Sequence, residues 1–128
     1  MVTDNRYYDV IGFGDEVPGV LAMVAAAREY RRRTKKPPRM LLMSKSNMQQ
    51  GIGGHLVRGC LAYLDRSQIS PEMRNSLRLD AFGAPPAIYK EFLDKAGVKL
   101  IALDPQKAGA ALREMLQTAG VATLSNIE

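Results

Sequence analysis

The sequence predicts an α/β fold built on a βαβ unit with a mostly parallel sheet. A short β-prone run, Tyr7 to Gly14, ends in glycine. Apolar residues at helical spacing follow it, and Met40-Leu41-Leu42-Met43 then forms a second compact apolar run. Strand, helix and strand in so short a stretch imply parallel strands joined by a right-handed crossover. With 128 residues, 46% of them hydrophobic, the chain can bury one modest core, so residues 1–128 read as a single domain.

Each element has its own reason. Tyr8-Asp9-Val10-Ile11-Gly12-Phe13-Gly14 reads as a buried strand running into a tight turn. From Pro18, the spacing Val17, Val20, Leu21, Val24 and Ala27 predicts a helix to about Arg33, with proline in the first turn, where no N–H partner is needed. Cations at its end complement the negative helix pole, and Pro37-Pro38 stop any continuation. These pieces make a βαβ unit over 6–45. Residues 46–85 form a glycine-rich and irregular region: Ser44 to Gly59 reads as an extended loop, a short element is expected at Leu56 to Leu64, and Ser67 to Pro86 as loop or weak helix. Residues 86–128 read as helix–strand–helix–strand. The first helix, Pro86 to Ala96, closes at Gly97, and Val98 to Leu103 is a strand. Asp104-Pro105 caps a helix running to Gly120, and Val121 to Ile127 is the last strand. Lys90 to Val98 and Arg113 to Val121 share Glu, Leu, Ala, Gly and Val at an offset of 23, which a common helix–glycine–strand grammar explains as well as duplication does.

Charge and composition narrow the function classes. The net charge is +5, but seven cations and one anion lie between Arg28 and Arg39, so the remaining chain is nearly neutral. That segment reads as a solvated helix end. Tyr30 is its only aromatic residue, so nucleic acid is not an expected partner. The longest apolar run, Val17 to Ala27, contains Pro18 and Gly19 and is shorter than the roughly 18 residues of a membrane span. His55 is the only histidine and Cys60 the only cysteine, so no metal site and no Cys–His–acid constellation is signalled. Cys60 is expected as a small core residue and His55 as an ordinary loop or helix residue, while most methionines fall on apolar stripes and are expected in the core. A single cysteine also favours a reducing, cytoplasmic setting.

The first turn carries the chemistry. A glycine turn between a strand and a helix is where pyrophosphates bind, because backbone N–H groups and the helix dipole both favour an anion there. Here it reads Gly14-Asp15-Glu16-Val17-Pro18-Gly19; against G-x-G-x-x-G, the first and third glycines match and Glu16 holds the middle place. Read from the residues alone, Asp15 and Glu16 serve to cap or charge-stabilise the helix start.

The turn, Tyr8-Asp9-Val10-Ile11, Gly19-Val20-Leu21-Ala22, Ala25-Ala26-Ala27-Arg28, Met40-Leu41-Leu42-Met43 and Gly51-Ile52-Gly53-Gly54-His55-Leu56 together resemble the N-terminal part of FAD-dependent oxidoreductases of the glutathione-reductase-like type. Leu103-Asp104-Pro105, Ala111 to Leu116 and Ala119-Gly120-Val121 look like a later helix and strand of the same proteins. The resemblance implies a Rossmann-like FAD/NAD(P)-binding domain, incomplete relative to the full flavoprotein fold, with FAD as cofactor. It implies that Gly12, Gly14, Asp15, Glu16 and Gly19 face the pyrophosphate, that Ser44 and Lys45 lie near the ribose, and that Gly53 and Gly54 approach the phosphate or flavin side. Three departures stand out. Glu16 adds bulk and charge where the backbone approaches the pyrophosphate, so either Asp15 and Glu16 turn outward or the anion binds poorly. Ser44 replaces the usual acidic residue at the end of the second strand and lacks its charge-assisted bond to ribose. Family members also continue beyond the length of this chain with a substrate domain and a flavin-covering segment.

The function implied is that of a truncated or split FAD-dependent oxidoreductase-like protein, enzymatic when FAD and a complementary C-terminal part are present. A second polypeptide or a homo-oligomer would complete the sheet. No residue is marked as catalytic acid, base or redox cysteine. The alternative is a non-enzymatic α/β remnant that binds a protein through its open sheet edge or through residues 28–39.

Overall fold

The computed structural model describes residues 7–61, 70–76, 85–98 and 102–128. The elements run β1 (Val10–Phe13), α1 (Val17–Thr34), β2 (Met40–Met43), α2 (Gly54–Arg58), α3 (Pro71–Ser76), α4 (Ala87–Lys95), α5 (Pro105–Ala119) and β3 (Val121–Leu124), with a 3-10 turn at Met48–Gln50. The strands form a sheet in the order β1-β2-β3, parallel throughout. Val10, Met40 and Val121 share one row of the register, and Phe13, Met43 and Leu124 another. This is a Rossmann-like α/β arrangement, as the sequence predicts.

Helix α1 buries Val20, Leu21, Met23, Val24 and Ala27, the stripe expected from its spacing. It ends at Lys35 in the left-handed conformation, whose N–H donates to the Arg31 carbonyl, before the prolines are reached. Gly12 makes the contact with β1 close: a Cβ there would lie 2.7 Å from the Met23 sulfur. Helix α5 starts where Asp104 accepts from the N–H groups of Gln106 and Lys107 at 2.9 and 3.2 Å. It closes at Gly120, φ 79°, as α4 is closed by Gly97, φ 66°. α1 and α5 cover the sheet face that carries Met40, Leu42 and Val121, and α4 lies against both helices through Phe92 and Leu93. Arg28 on α1 makes a two-pronged pair with Glu91 on α4 at 2.6 and 2.9 Å.

Several expectations are corrected. β1 is not a buried strand: Ile11 is 58% and Phe13 67% exposed, because β1 lies at one edge of the sheet formed by the described strands and α1 packs against its other face at Gly12. The Ser44–Gly59 stretch is not an extended loop. Asn47 caps the 3-10 turn by accepting from the Gln49 N–H, and Gly53 and Gly54, both at positive φ, turn the chain into α2. α2 begins before Leu56, and 62–64 of the element expected there lie outside the described residues. Of the strand expected over Val98–Leu103, residues 99–101 likewise lie outside the described residues. The last strand is shorter than expected, ending at Leu124. Among the described residues, no helix is long and apolar enough to cross a membrane.

Candidate functional site at the carboxyl ends of the strands

The parallel sheet brings the end of β1, the start of α1, the end of β2 and the Gly51–Arg58 segment to one place. Gly14, φ 92°, makes the turn after β1, and its N–H donates to the Met43 carbonyl at 2.7 Å. Among the described residues, the chain neighbours aside, nothing lies within 4 Å of where a Cβ on Gly14 would stand, so the space in front of it is open. A Cβ on Gly19 would lie 3.4 Å from the Gly14 carbonyl oxygen, so the first turn of α1 sits tightly under the loop.

Asp15 is the centre of the arrangement, although it is only 3% exposed. Its Oδ1 accepts from the Ser44 hydroxyl at 2.8 Å and from Arg58 Nη2 at 3.0 Å. Its Oδ2 accepts from Arg58 Nη1 and, at 3.4 Å each, from the N–H groups of Gly53 and Gly54. Burial pushes the Asp15 carboxyl up, but hydrogen bonds from Arg58 and Ser44, the Arg58 charge and the Gly54 N–H outweigh it and hold the group below the ordinary carboxylate range. Arg58 Nη1 also donates to the Gly51 carbonyl at 2.7 Å, which fixes the guanidinium against the loop.

Glu16 is the residue that precedes α1, yet its side chain does not cap that helix. Its carboxylate reaches across to α2, accepting from the His55 N–H at 3.1 and 3.2 Å and meeting His55 Nδ1 at 2.5 Å. A Cβ on Gly54 would overlap the Glu16 carboxyl at 2.1 Å, so another residue there would displace that carboxylate, and φ 55° disfavours a side chain as well. Both acidic side chains of the turn are therefore drawn away from the start of α1, and no acidic residue stands in its first turn. The sequence posed outward rotation or poor anion binding as the alternatives; Glu16 turns to α2, and Asp15 turns inward.

The remaining candidates take varied positions. Gly12 faces α1 and serves close packing. Ser44 is 3% exposed, and its hydroxyl donates to Asp15 and accepts from the Ser46 N–H, so it ties β2 to the turn. Lys45 is exposed beside it. Gly53 and Gly54 lie beside the turn, and their N–H groups point at Asp15. Cys60 is exposed at φ 53°, not in the core, because it follows the end of α2 in a left-handed turn. Met23, Met40, Met48 and Met115 are buried as expected, whereas Met73 is 54% exposed.

Sequence reading missed Arg58. Its only signal is a cation four residues after Gly54, on the same side of a short helix. It also missed an apolar cavity of about 680 Å³ between α1, α2 and α4, walled by Leu21, Ala25, Leu56, Ile88 and Phe92, with Glu16 and His55 at its edge. The Arg28–Arg39 segment is exposed and largely paired: Glu29 accepts from Arg32 and Arg33, which pull its carboxyl down to about 2, and Asp9 accepts from Arg39. Among the described residues, no group of three or more His, Cys, Asp or Glu could hold a metal ion. No protein-family model matches the chain, and no curated protein matches it.

Proposed function

We propose that this chain is the adenine-dinucleotide-binding part of an FAD-linked oxidoreductase, shortened or completed by a second polypeptide. One observation supports it above the others: an open glycine turn at the carboxyl end of a parallel sheet, whose own two carboxylates are held away from the helix start behind it. The turn at Gly14 to Gly19 fits a pyrophosphate, with Lys45 as an exposed cation nearby. The Gly53–Gly54 amides do not fit that role while Asp15 takes them, and buried Ser44 is a poor ribose partner. Bound FAD would supply the redox chemistry; the chain binds and orients it. A reducing, cytoplasmic setting belongs to the same reading.

The test is retention of flavin. After incubation with FAD and desalting, the chain is expected to keep flavin absorbance, and in a separate sample with free FAD at 100 times its Kd it is expected to melt at higher temperature, gaining about 2.7 kcal/mol. No absorbance and no shift would remove the reading. Glu16→Gly is expected not to raise retention, because the Glu16 carboxylate already points to α2.

A second reading, a protein-interaction module, is favoured by apolar side chains exposed on one sheet face, where Ile11, Phe13 and Leu124 are 58%, 67% and 46% exposed around the buried Leu41. Parallel sheets are ordinarily covered on both faces. Sedimentation over a concentration series is expected to show self-association that the pair Ile11→Thr and Phe13→Ser abolishes without lowering Tm. A chain that stays monomeric at all concentrations would eliminate this route to a homo-oligomer.

A further inference from the structure

The turn after β1 poses an electrostatic problem that the fold solves with a residue outside it. Asp15 directly follows Gly14, so its carboxylate is covalently placed where it could repel an incoming phosphate. It is held back by four groups: the Ser44 hydroxyl, the Gly53 and Gly54 N–H groups, and the Arg58 guanidinium. Only Arg58 carries charge. It makes two of the bonds, and it is itself anchored on the Gly51 carbonyl at 2.7 Å. Helix geometry explains how it reaches: Arg58 lies four residues after Gly54, so both address the same carboxylate from one side of α2.

We propose that Arg58 is the positioning residue of the dinucleotide turn, holding the Asp15 carboxylate in the wall beside Gly53 and Gly54 so that the front of α1 stays free of the chain's own negative charge. The inference rests on the dinucleotide reading given above. Arg58 touches no ligand in this scheme; it acts by engaging Asp15. The neutral pair leaves the turn with the positive pole of an 18-residue helix behind it, and the second acid, Glu16, is engaged by the His55 N–H. Removing the guanidinium leaves a buried carboxylate with neutral donors only and no countercharge, which favours its relaxing toward solvent and hence toward the mouth of the turn.

The full chain tests this with two probes, FAD and inorganic pyrophosphate, titrated well below the melting temperature of each variant so that only folded molecules are read. Arg58→Ala is expected to weaken both probes on the order of tenfold to a hundredfold, the effect of one uncompensated charge near an anion. Arg58→Ala combined with Asp15→Asn is expected to return to within a few-fold of the parent chain, and Asp15→Asn alone to bind at least as well as the parent. A merely structural role would lower Tm but leave affinity per folded molecule unchanged. If Arg58→Ala does not fold, Arg58→Lys replaces it, with a smaller loss that Asp15→Asn again reverses. Equal affinity in parent and Arg58 variants, or no recovery on adding Asp15→Asn, overturns the role of Arg58 while leaving the dinucleotide reading intact. Binding of pyrophosphate without FAD removes the flavin reading and leaves the role of Arg58 standing on the pyrophosphate series. A parent chain that binds neither probe overturns both.

Discussion

Asp15→Ala is expected to destabilise the chain by about 3 kcal/mol at neutral pH, because it strips one partner from a buried ion pair and leaves its donors unmatched. Four elements meet at that carboxylate: the β1–α1 turn, the end of β2 through Ser44, the Gly53–Gly54 bend, and α2 through Arg58. The loss would lower Tm by about 10 °C in a chain of this size. Arg58 is partly solvated, which keeps the cost at the lower end of the range for broken buried pairs. Asp15→Ala melting within a degree or two of the parent would show that the loop is held by other contacts.

The pH dependence follows from the direction of the Asp15 shift. Its carboxyl titrates lower in the folded chain than in the unfolded one, where the ordinary value is about 3.9. The stabilisation is therefore complete above the unfolded value and is lost as pH falls through the folded one. The gap between parent and Asp15→Ala is expected to be constant from pH 7 to about pH 5 and to narrow below about pH 4. Glu29 and Glu91, also shifted down by their arginines, titrate in both proteins and cancel in the comparison. Urea unfolding at neutral and acidic pH measures the gap.

Phe92→Ala is expected to cost about 4 kcal/mol, close to the whole stability of a marginal domain. The ring is fully buried where α4 meets α1 and α5, and it stands 6.1 Å from the Tyr89 ring. It also forms part of the wall of the apolar cavity beside α1. Deleting it detaches α4 from its seat, and the exposed Arg28–Glu91 pair, worth at most about 1 kcal/mol, cannot hold the helix there. Phe92→Leu, which keeps most of the volume, is expected to cost about 1.5 kcal/mol. A urea midpoint for Phe92→Ala equal to that of the parent would refute this account of the core.

Local signals were legible where side chains act within their own element. The stripe of α1, the Asp104 cap, Gly97 and Gly120 as helix ends, and Met40–Met43 as a strand all follow from spacing and from the conformations that glycine and proline permit. α2 was legible only as a short element placed two residues late, because five residues give no helical period to read. Cys60 was misplaced for a related reason: small and apolar, it suits a core, yet the chain turns left-handed there after α2 ends. Arg58 carries no local sign of its role beyond its spacing from Gly54, since its partner Asp15 lies 43 positions earlier.

The sequence by itself determined the α/β class, the parallel βαβ order and the glycine turn, since these depend on periodicity and backbone freedom over a few residues. Only the tertiary structure decided that β1 lies exposed at the edge of the described sheet, that Glu16 faces α2, and that Asp15 is buried against Arg58. The physical reason is that exposure of a strand face and the pairing of a charge depend on which distant segment comes to lie opposite, and that is a property of the assembled layers.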